Sequence, residues 1–419
     1  MTRRAFAFAA CWLSVLVPMS SRAADDGIAA AWVQLGPGGV NEARVVVPSN
    51  KCPRGLLVDG AEAAMHERAT AGANFRVRVC VLALPKTAKQ ASVLGHDLPL
   101  LSGPPKRIVV IGDTGCRIKG STVQACNDPA KWPFATVARA AAKLEPDLII
   151  HVGDYLYREG PCPAEDKECA GTPWGDTWPT WAADFFTPAA PLLGAAPWVV
   201  VRGNHESCDR SGAGWLRLLG PLSIAAAAPC TDHVAPYVVP LGEANLVVMD
   251  DTAAPDLYSD AAVVPTYEAD FASLKKLARA PEWLAMHRPL WGAVTGPFGI
   301  TMGGNRTMIA ALKDERWLDS IELMLSGHIH SFEALNYDKG PPQVVAGNGG
   351  DKLDVVPADL SRANLSGRSV KDGLSLPGFG FLLMTRESNG WDIDLYRVDG
   401  TRAPEEIYRD IEKIVMSNE

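Results

Sequence analysis

From residue 107 onward the chain repeats one pattern, a short apolar run that breaks into polar, chemically reactive residues. Arg107-Ile108-Val109-Val110-Ile111 gives way to Gly112-Asp113-Thr114-Gly115, and Leu148-Ile149-Ile150-His151-Val152 gives way to Gly153-Asp154-Tyr155-Leu156-Tyr157. Trp198-Val199-Val200-Val201 runs into Arg202-Gly203-Asn204-His205-Glu206. The same break follows Leu246 to Met249 at Asp250-Asp251, Trp283 to Met286 at His287, Ile321 to Leu325 at Ser326-Gly327-His328-Ile329-His330, and Gln343 to Ala346 at Gly347-Asn348. Apolar runs of this length with turn residues behind them predict strands of a sheet covered on both faces. Helical stretches fill the gaps. Pro133 opens a segment in which Phe134, Val137, Ala138, Ala141 and Leu144 recur with helical period until Glu145-Pro146 stops it, and Phe271 to Ala278 is a second amphipathic stretch. Strands alternating with helices predict an α/β architecture, whose strand ends gather on one edge and make one site there.

Ahead of this unit the signals are for strands alone. Phe75 to Val81 alternates with period two, Arg44-Val45-Val46-Val47 ends at Pro48, and Gly36-Pro37-Gly38-Gly39 supplies a turn. A small β domain is expected over residues 24–103, joined through Ser102-Gly103-Pro104-Pro105 to a unit spanning residues 106–419. The amino end has Arg3-Arg4, an apolar run from Ala5 to Met19, and small residues at Ser21 and Ala23, which reads as a secretory signal over residues 1–23. That run is too short for a stable anchor, so a periplasmic or secreted protein, free of the membrane after cleavage, is expected.

An apolar fraction of 47% with 21% charged residues describes a folded globular chain. The net charge of −8 argues against a nucleic-acid scaffold as partner, and an anionic substrate would need local positive charge. With Cys11 inside the signal, Cys52, Cys80, Cys116, Cys126, Cys162, Cys169, Cys208 and Cys230 remain. An even number in an exported chain predicts disulfides, with sequential pairing the simplest arrangement, and the lack of any CxxC pair weakens a zinc reading. Nothing in the sequence sets the oligomeric state.

The strand ends collect Asp113, Asp154, Tyr157, Asn204, His205, His287, His328 and His330. A mononuclear site needs fewer donors than this; two cations sharing a carboxylate need them all. The oxygen donors Asp113 and Tyr157 suit a hard ferric ion, and the imidazoles suit a divalent ion such as iron, zinc or manganese.

Five of these blocks, Gly112-Asp113-Thr114-Gly115, Gly153-Asp154-Tyr155-Leu156-Tyr157, Gly203-Asn204-His205-Glu206, Leu284-Ala285-Met286-His287 and Gly327-His328-Ile329-His330, resemble those of the calcineurin-like metallophosphoesterases, and within them the purple acid phosphatases. Gly349-Gly350 resembles the glycine turn that follows, so the likeness spans roughly Arg107 to Asp351. The resemblance implies a four-layer αββα sandwich preceded by the small β domain. It also implies a ferric site at Asp113, Tyr157 and His330, a bridging Asp154, and a second metal at Asn204, His287 and His328. His205 would coordinate nothing and act catalytically on the leaving group.

The implied activity is hydrolysis of small phosphate monoesters by metal-activated hydroxide. Two alternatives stand beside it: a phosphodiesterase or nucleotidase with two like divalent metals, and a non-catalytic metal- and phosphate-binding surface protein, which the complete ligand set disfavours. The sequence departs from the family in having no histidine between His287 and His328, which leaves acid transfer to His205 alone. The cysteine-bearing insert from Glu159 to Thr172 matches no family block. Trp181 beyond it is expected in the core, as are His151 and His233 in the core or on the surface. Tyr155 has no role in this reading.

Overall fold

Two β-sheets stacked face to face form the middle of the molecule, with helices against both outer faces. The structure, a computed structural model, describes residues 27–48, 50–223, 229–242, 244–277, 282–296, 301–388, 390–404, 407, 411 and 415, and the expected signal segment lies outside the described residues.

The first sheet has nine strands in the order Gly390–Arg397, Gly380–Glu387, Arg107–Ile111, Leu148–His151, Trp198–Val200, Ala30–Leu35, Asn41–Val47, Arg78–Ala83 and His66–Ala69. Arg107–Ile111, Leu148–His151 and Trp198–Val200 run parallel, with Ile149 paired to Val109 on one side and to Trp198 on the other. The second sheet has eight strands, and at its centre Asn245–Val248, Glu282–Ala285, Ile321–Ser326 and Gln343–Ala346 are parallel.

Alternate residues of each central strand point to opposite cores, which explains why the runs are apolar throughout. Val110, Ile150 and Val199 meet Leu246, Trp283, Leu325 and Val344 between the sheets. Val109, Ile149 and Val200 face outward onto Phe134, Val137 and Ala141 of helix Phe134–Ala142 and onto Leu192 of helix Thr187–Leu193. Val247, Leu284 and Met324 face the other way, onto Phe271 and Leu274 of helix Val264–Leu277 and Met308 of helix Arg306–Ala311. This is the expected αββα sandwich. Among the described residues no helix is long and apolar enough to cross a membrane.

The amino-terminal β segment does not stand apart from the sandwich. Four of its strands extend the first sheet, because Ala30–Leu35 has two buried faces: Trp32 enters the outer core with Val109, while Val33 packs with Leu56 and Val93. Only Leu56–Val58, Ala61–Ala63, Ala91–Val93 and His96–Leu98 form a sheet of their own. All four sequential disulfides are present: Cys52–Cys80, Cys116–Cys126, Cys162–Cys169 and Cys208–Cys230.

Candidate metal centre

The parallel strands of the two sheets end at the same edge, and the turns behind them deliver the site residues to one point. Three of those residues, Asp113 (φ 55°), Asp154 (φ 57°) and His328 (φ 69°), have left-handed backbones. That conformation is uncommon outside glycine and persists only where the surroundings hold it in place, which points to a functional demand at these turns. The neighbouring glycines make room. A side chain on Gly153 (φ 104°) would strike the His287 ring, and one on Gly203 would strike the Asp154 carboxylate.

Asp154 is central. Its Oδ2 lies 3.1 Å from His287 Nε2 and 2.9 Å from the Tyr157 hydroxyl, and its Oδ1 accepts the His205 backbone N–H at 2.8 Å. On one side Tyr157 also reaches Asp113 Oδ1 (2.8 Å) and His330 Nε2 (3.0 Å). On the other, Asn204 Oδ1 is 3.2 Å from His287 Nε2, and donor atoms of Asp154, His287 and His328 lie within 4.8 Å of one another. The structure therefore brings together all eight residues singled out from the sequence.

The donor set suits metal cations. His287 Nδ1 donates to the Val152 carbonyl (2.8 Å) and His330 Nδ1 to the Lys352 carbonyl (2.9 Å), so both Nε2 atoms turn inward. His328 does the reverse, its Nε2 engaged by Asp256 Oδ2 at 2.9 Å. Fixing the far ring nitrogen in this way is how metal-ligating histidines are oriented. The local field is strongly negative: burial disfavours the His287 imidazolium, yet Asp154 and Asp113 raise its pKa to about 10. His330, likewise buried, is raised to about 9 by Asp351 and Asp113. Burial alone would raise Asp154, but His287 and His205 hold it well below the carboxylate range.

A family model for calcineurin-like phosphoesterases matches residues 106–332, more than half of the chain. The chain belongs to the calcineurin-like phosphoesterase family. It is a metal-dependent phosphoric ester hydrolase. Among solved structures, purple acid phosphatase PPD1 from yellow lupin (Lupinus luteus) seeds is similar with a TM-score of 0.54 at 15% identity, covering 89% of this chain and 72% of that one. PhoD is similar with a TM-score of 0.51 at 12% identity, covering 94% of this chain and 97% of that one. At such identities these likenesses show the fold. No curated protein matches the chain.

In this phosphoesterase several residues that sequence reasoning passed over touch the centre. Glu159, first residue of the unmatched insert, places Oε1 at 2.7 Å from His205 Nδ1. Arg210 donates to the same carboxylate from Nε at 3.1 Å, and its Nη2 lies 2.6 Å from the same ring nitrogen. Burial raises the Glu159 pKa, but bonding to His205 and Arg210 brings it down to about 2. Burial is also the main reason the His205 pKa falls to about 4. Arg117 donates to Asp351 Oδ2 (2.9 Å) and lies over the Tyr157 ring. Asp184, fully buried, accepts from the backbone N–H groups of Cys116 (2.9 Å) and Tyr157 (2.7 Å) and from Arg158 Nε (2.7 Å), tying the first two turns together.

Other strand-end residues serve structure instead. Asp250 and Asp251 accept backbone N–H groups of Thr252 and Arg288. His151 stacks on Tyr155 in the core and contacts the Thr114 hydroxyl at 3.0 Å, and His233 pairs with Asp270. Trp181 is fully buried, as expected. The centre opens into a cavity of about 440 Å³ lined in part by Arg117, Lys119, Arg210 and Lys352, which supply the local positive charge that the overall composition lacks.

Proposed function

We propose that this is an exported phosphomonoesterase of the purple acid phosphatase type, with residues 106–419 as its catalytic unit. A ferric ion would be held by Asp113, Tyr157 and His330, a divalent iron, zinc or manganese ion by Asn204, His287 and His328, and Asp154 would be shared. The observation that carries this reading is the Tyr157 hydroxyl, buried within 3.0 Å of Asp113, Asp154 and His330. A phenol among carboxylates is a hard-oxygen donor set of the kind that favours iron(III). Four disulfides fit an exported protein.

Two cations, held by these residues, would supply positive charge to the phosphate oxygens and activate the attacking water. Arg117 and Arg210 add hydrogen-bond donors at the cavity wall for those oxygens. His205 keeps Nδ1 against Glu159 and Nε2 toward the centre, 3.8 Å from Asp154 Oδ2. With Nδ1–H held by Glu159, Nε2 carries a proton only in the imidazolium, so with the His205 pKa at about 4 this step belongs to acid pH. Nε2 would then give its proton to the departing ester oxygen as water's oxygen bonds to phosphorus and the ester phosphorus–oxygen bond breaks, releasing the alcohol and inorganic phosphate. Glu159, supplied by the insert, orients the only histidine available for this step.

The test combines metal analysis, a visible spectrum and turnover of mono- and bis-nitrophenyl phosphates. The expected result is one iron and one further metal per chain, a tyrosinate-to-iron absorption band, and faster turnover of the monoester. A colourless enzyme that prefers the diester would overturn the reading.

A further inference from the structure

The four cations of the cavity form two layers. Arg117 and Arg210 touch the centre directly, since an Arg117 Nη lies 3.4 Å from His330 Nε2 and Arg210 is bonded to Glu159 beside His205. Lys119 and Lys352 line the same cavity farther out, and both side chains are largely exposed. The nearby carboxylates are already shared: Glu159 serves Arg210, His205 and, at 3.3 Å, Lys119, while Asp351 serves Arg117 and His330. Asp354, which also lines the cavity, accepts the His330 backbone N–H at 3.0 Å, and among the described residues no carboxylate is paired with Lys352.

The cavity is also larger than one phosphate group requires, at about 440 Å³. Its outer wall is built firmly. Lys119 projects from the hairpin Ile118–Lys119 and Thr122–Val123, closed by Cys116–Cys126, and Arg210 lies within the loop closed by Cys208–Cys230. Lys352 follows Asp351, whose backbone N–H is bonded to the Asp113 carbonyl at 2.8 Å. Lysines so placed present charge at the exposed side of the cavity, on flexible stems that rise from fixed backbone positions.

We infer that Lys119 and Lys352 bind a second phosphate carried by the alcohol part of the substrate, so that the preferred substrates are bisphosphorylated esters. This rests on the phosphomonoesterase reading above. The test compares glucose 6-phosphate with glucose 1,6-bisphosphate, with nitrophenyl phosphate as a reference, in the metal-loaded full chain and in a Lys119→Ala/Lys352→Ala double variant. The wild type is expected to favour the bisphosphate by about tenfold in kcat/KM, as two exposed ion pairs allow, with the preference shrinking as salt is raised. In the double variant the ratio should fall to about two, the statistical factor for two hydrolysable phosphates against one, and a larger preference that remains counts as surviving. An absent preference in the wild type, or one that survives in the variant, overturns the inference while leaving nitrophenyl phosphate turnover to uphold the phosphatase reading. If no monoester is hydrolysed at all, both fall.

Discussion

The two halves of the centre are built differently. Asp113 and Tyr157 are fully buried, and His330 beside them is walled by Asp351 and Arg117. In the other half His287 is equally buried, but His328 retains 24% exposure and its partner Asp256 30%, and both line a second cavity of about 560 Å³. Asp256 is itself held by Asn305 Nδ2 at 2.8 Å and by Arg288. His330 and Arg117 border the cavity of about 440 Å³, but at 7% and 21% exposure they close their half more tightly than His328 and Asp256 close theirs. We expect the first half to retain its metal and the second to exchange it.

His205 belongs to neither half, being packed against Tyr157 with ring centres 3.8 Å apart and planes tilted by 40°, and hydrogen-bonded to Asp154 through its backbone. Replacing it therefore gives the largest effect without disturbing the comparison. His205→Ala should lower kcat by about 10²- to 10⁴-fold, the usual range for a lost general acid, with full metal content by elemental analysis. The loss should be greater for alkyl phosphates than for nitrophenyl phosphate, whose leaving group needs no proton. Equal losses for both would remove the acid role.

Tyr157→Phe strikes the closed half alone. The visible absorption should vanish and iron should be retained less well on dialysis, while zinc or manganese binding at the open half persists. Asp256→Asn is the matching change on the other side. Its expected cost is a 10- to 100-fold weaker divalent affinity, roughly that of losing a carboxylate that orients a ligating histidine, read by calorimetry with the iron band unchanged. Should Asp256→Asn bleach the colour instead, the two halves are not independent.

Much of this was legible in the sequence because the strand runs are apolar on both faces and each ends in a reactive residue. Local pattern alone locates such strands, and the eight site residues follow from their ends. The carboxylates behind the site were not legible for the opposite reason. Asp256 meets His328 across 72 positions and Asp184 meets Tyr157 across 27, so their roles exist only once the sheets have stacked. Glu159 was nearer, but its insert has no counterpart block to point at it. The β segment before residue 103 reads as separate because period-two alternation does not reveal which sheet a strand joins. The pairing of Ala30–Leu35 with Trp198–Val200 on one side and Asn41–Val47 on the other places it inside the first sheet, and the burial of both Trp32 and Val33 follows from that.

The smallest predicted effect comes from the residue that had no role. Tyr155 stands two positions before Tyr157, yet its ring turns away from the centre into the outer core, stacked on His151 at 4.0 Å and set edge-on to Phe185 at 5.0 Å. Its hydroxyl donates to the Val201 carbonyl at 3.0 Å and lies 3.4 Å from the His151 carbonyl, joining the strand ends of Leu148–His151 and Trp198–Val200. Tyr155→Phe keeps the packing and removes that single hydrogen bond, so it should cost about 1 kcal/mol of stability in urea unfolding. Metal content, colour and kcat should stay at wild-type values. The same deletion of one oxygen should thus separate the two tyrosines: on the proposed reading it removes a colour and a metal at residue 157 and shifts only an unfolding midpoint at residue 155. Loss of colour in Tyr155→Phe would mean that the strand ends beneath the centre, and not its ligands alone, set the geometry of the closed half.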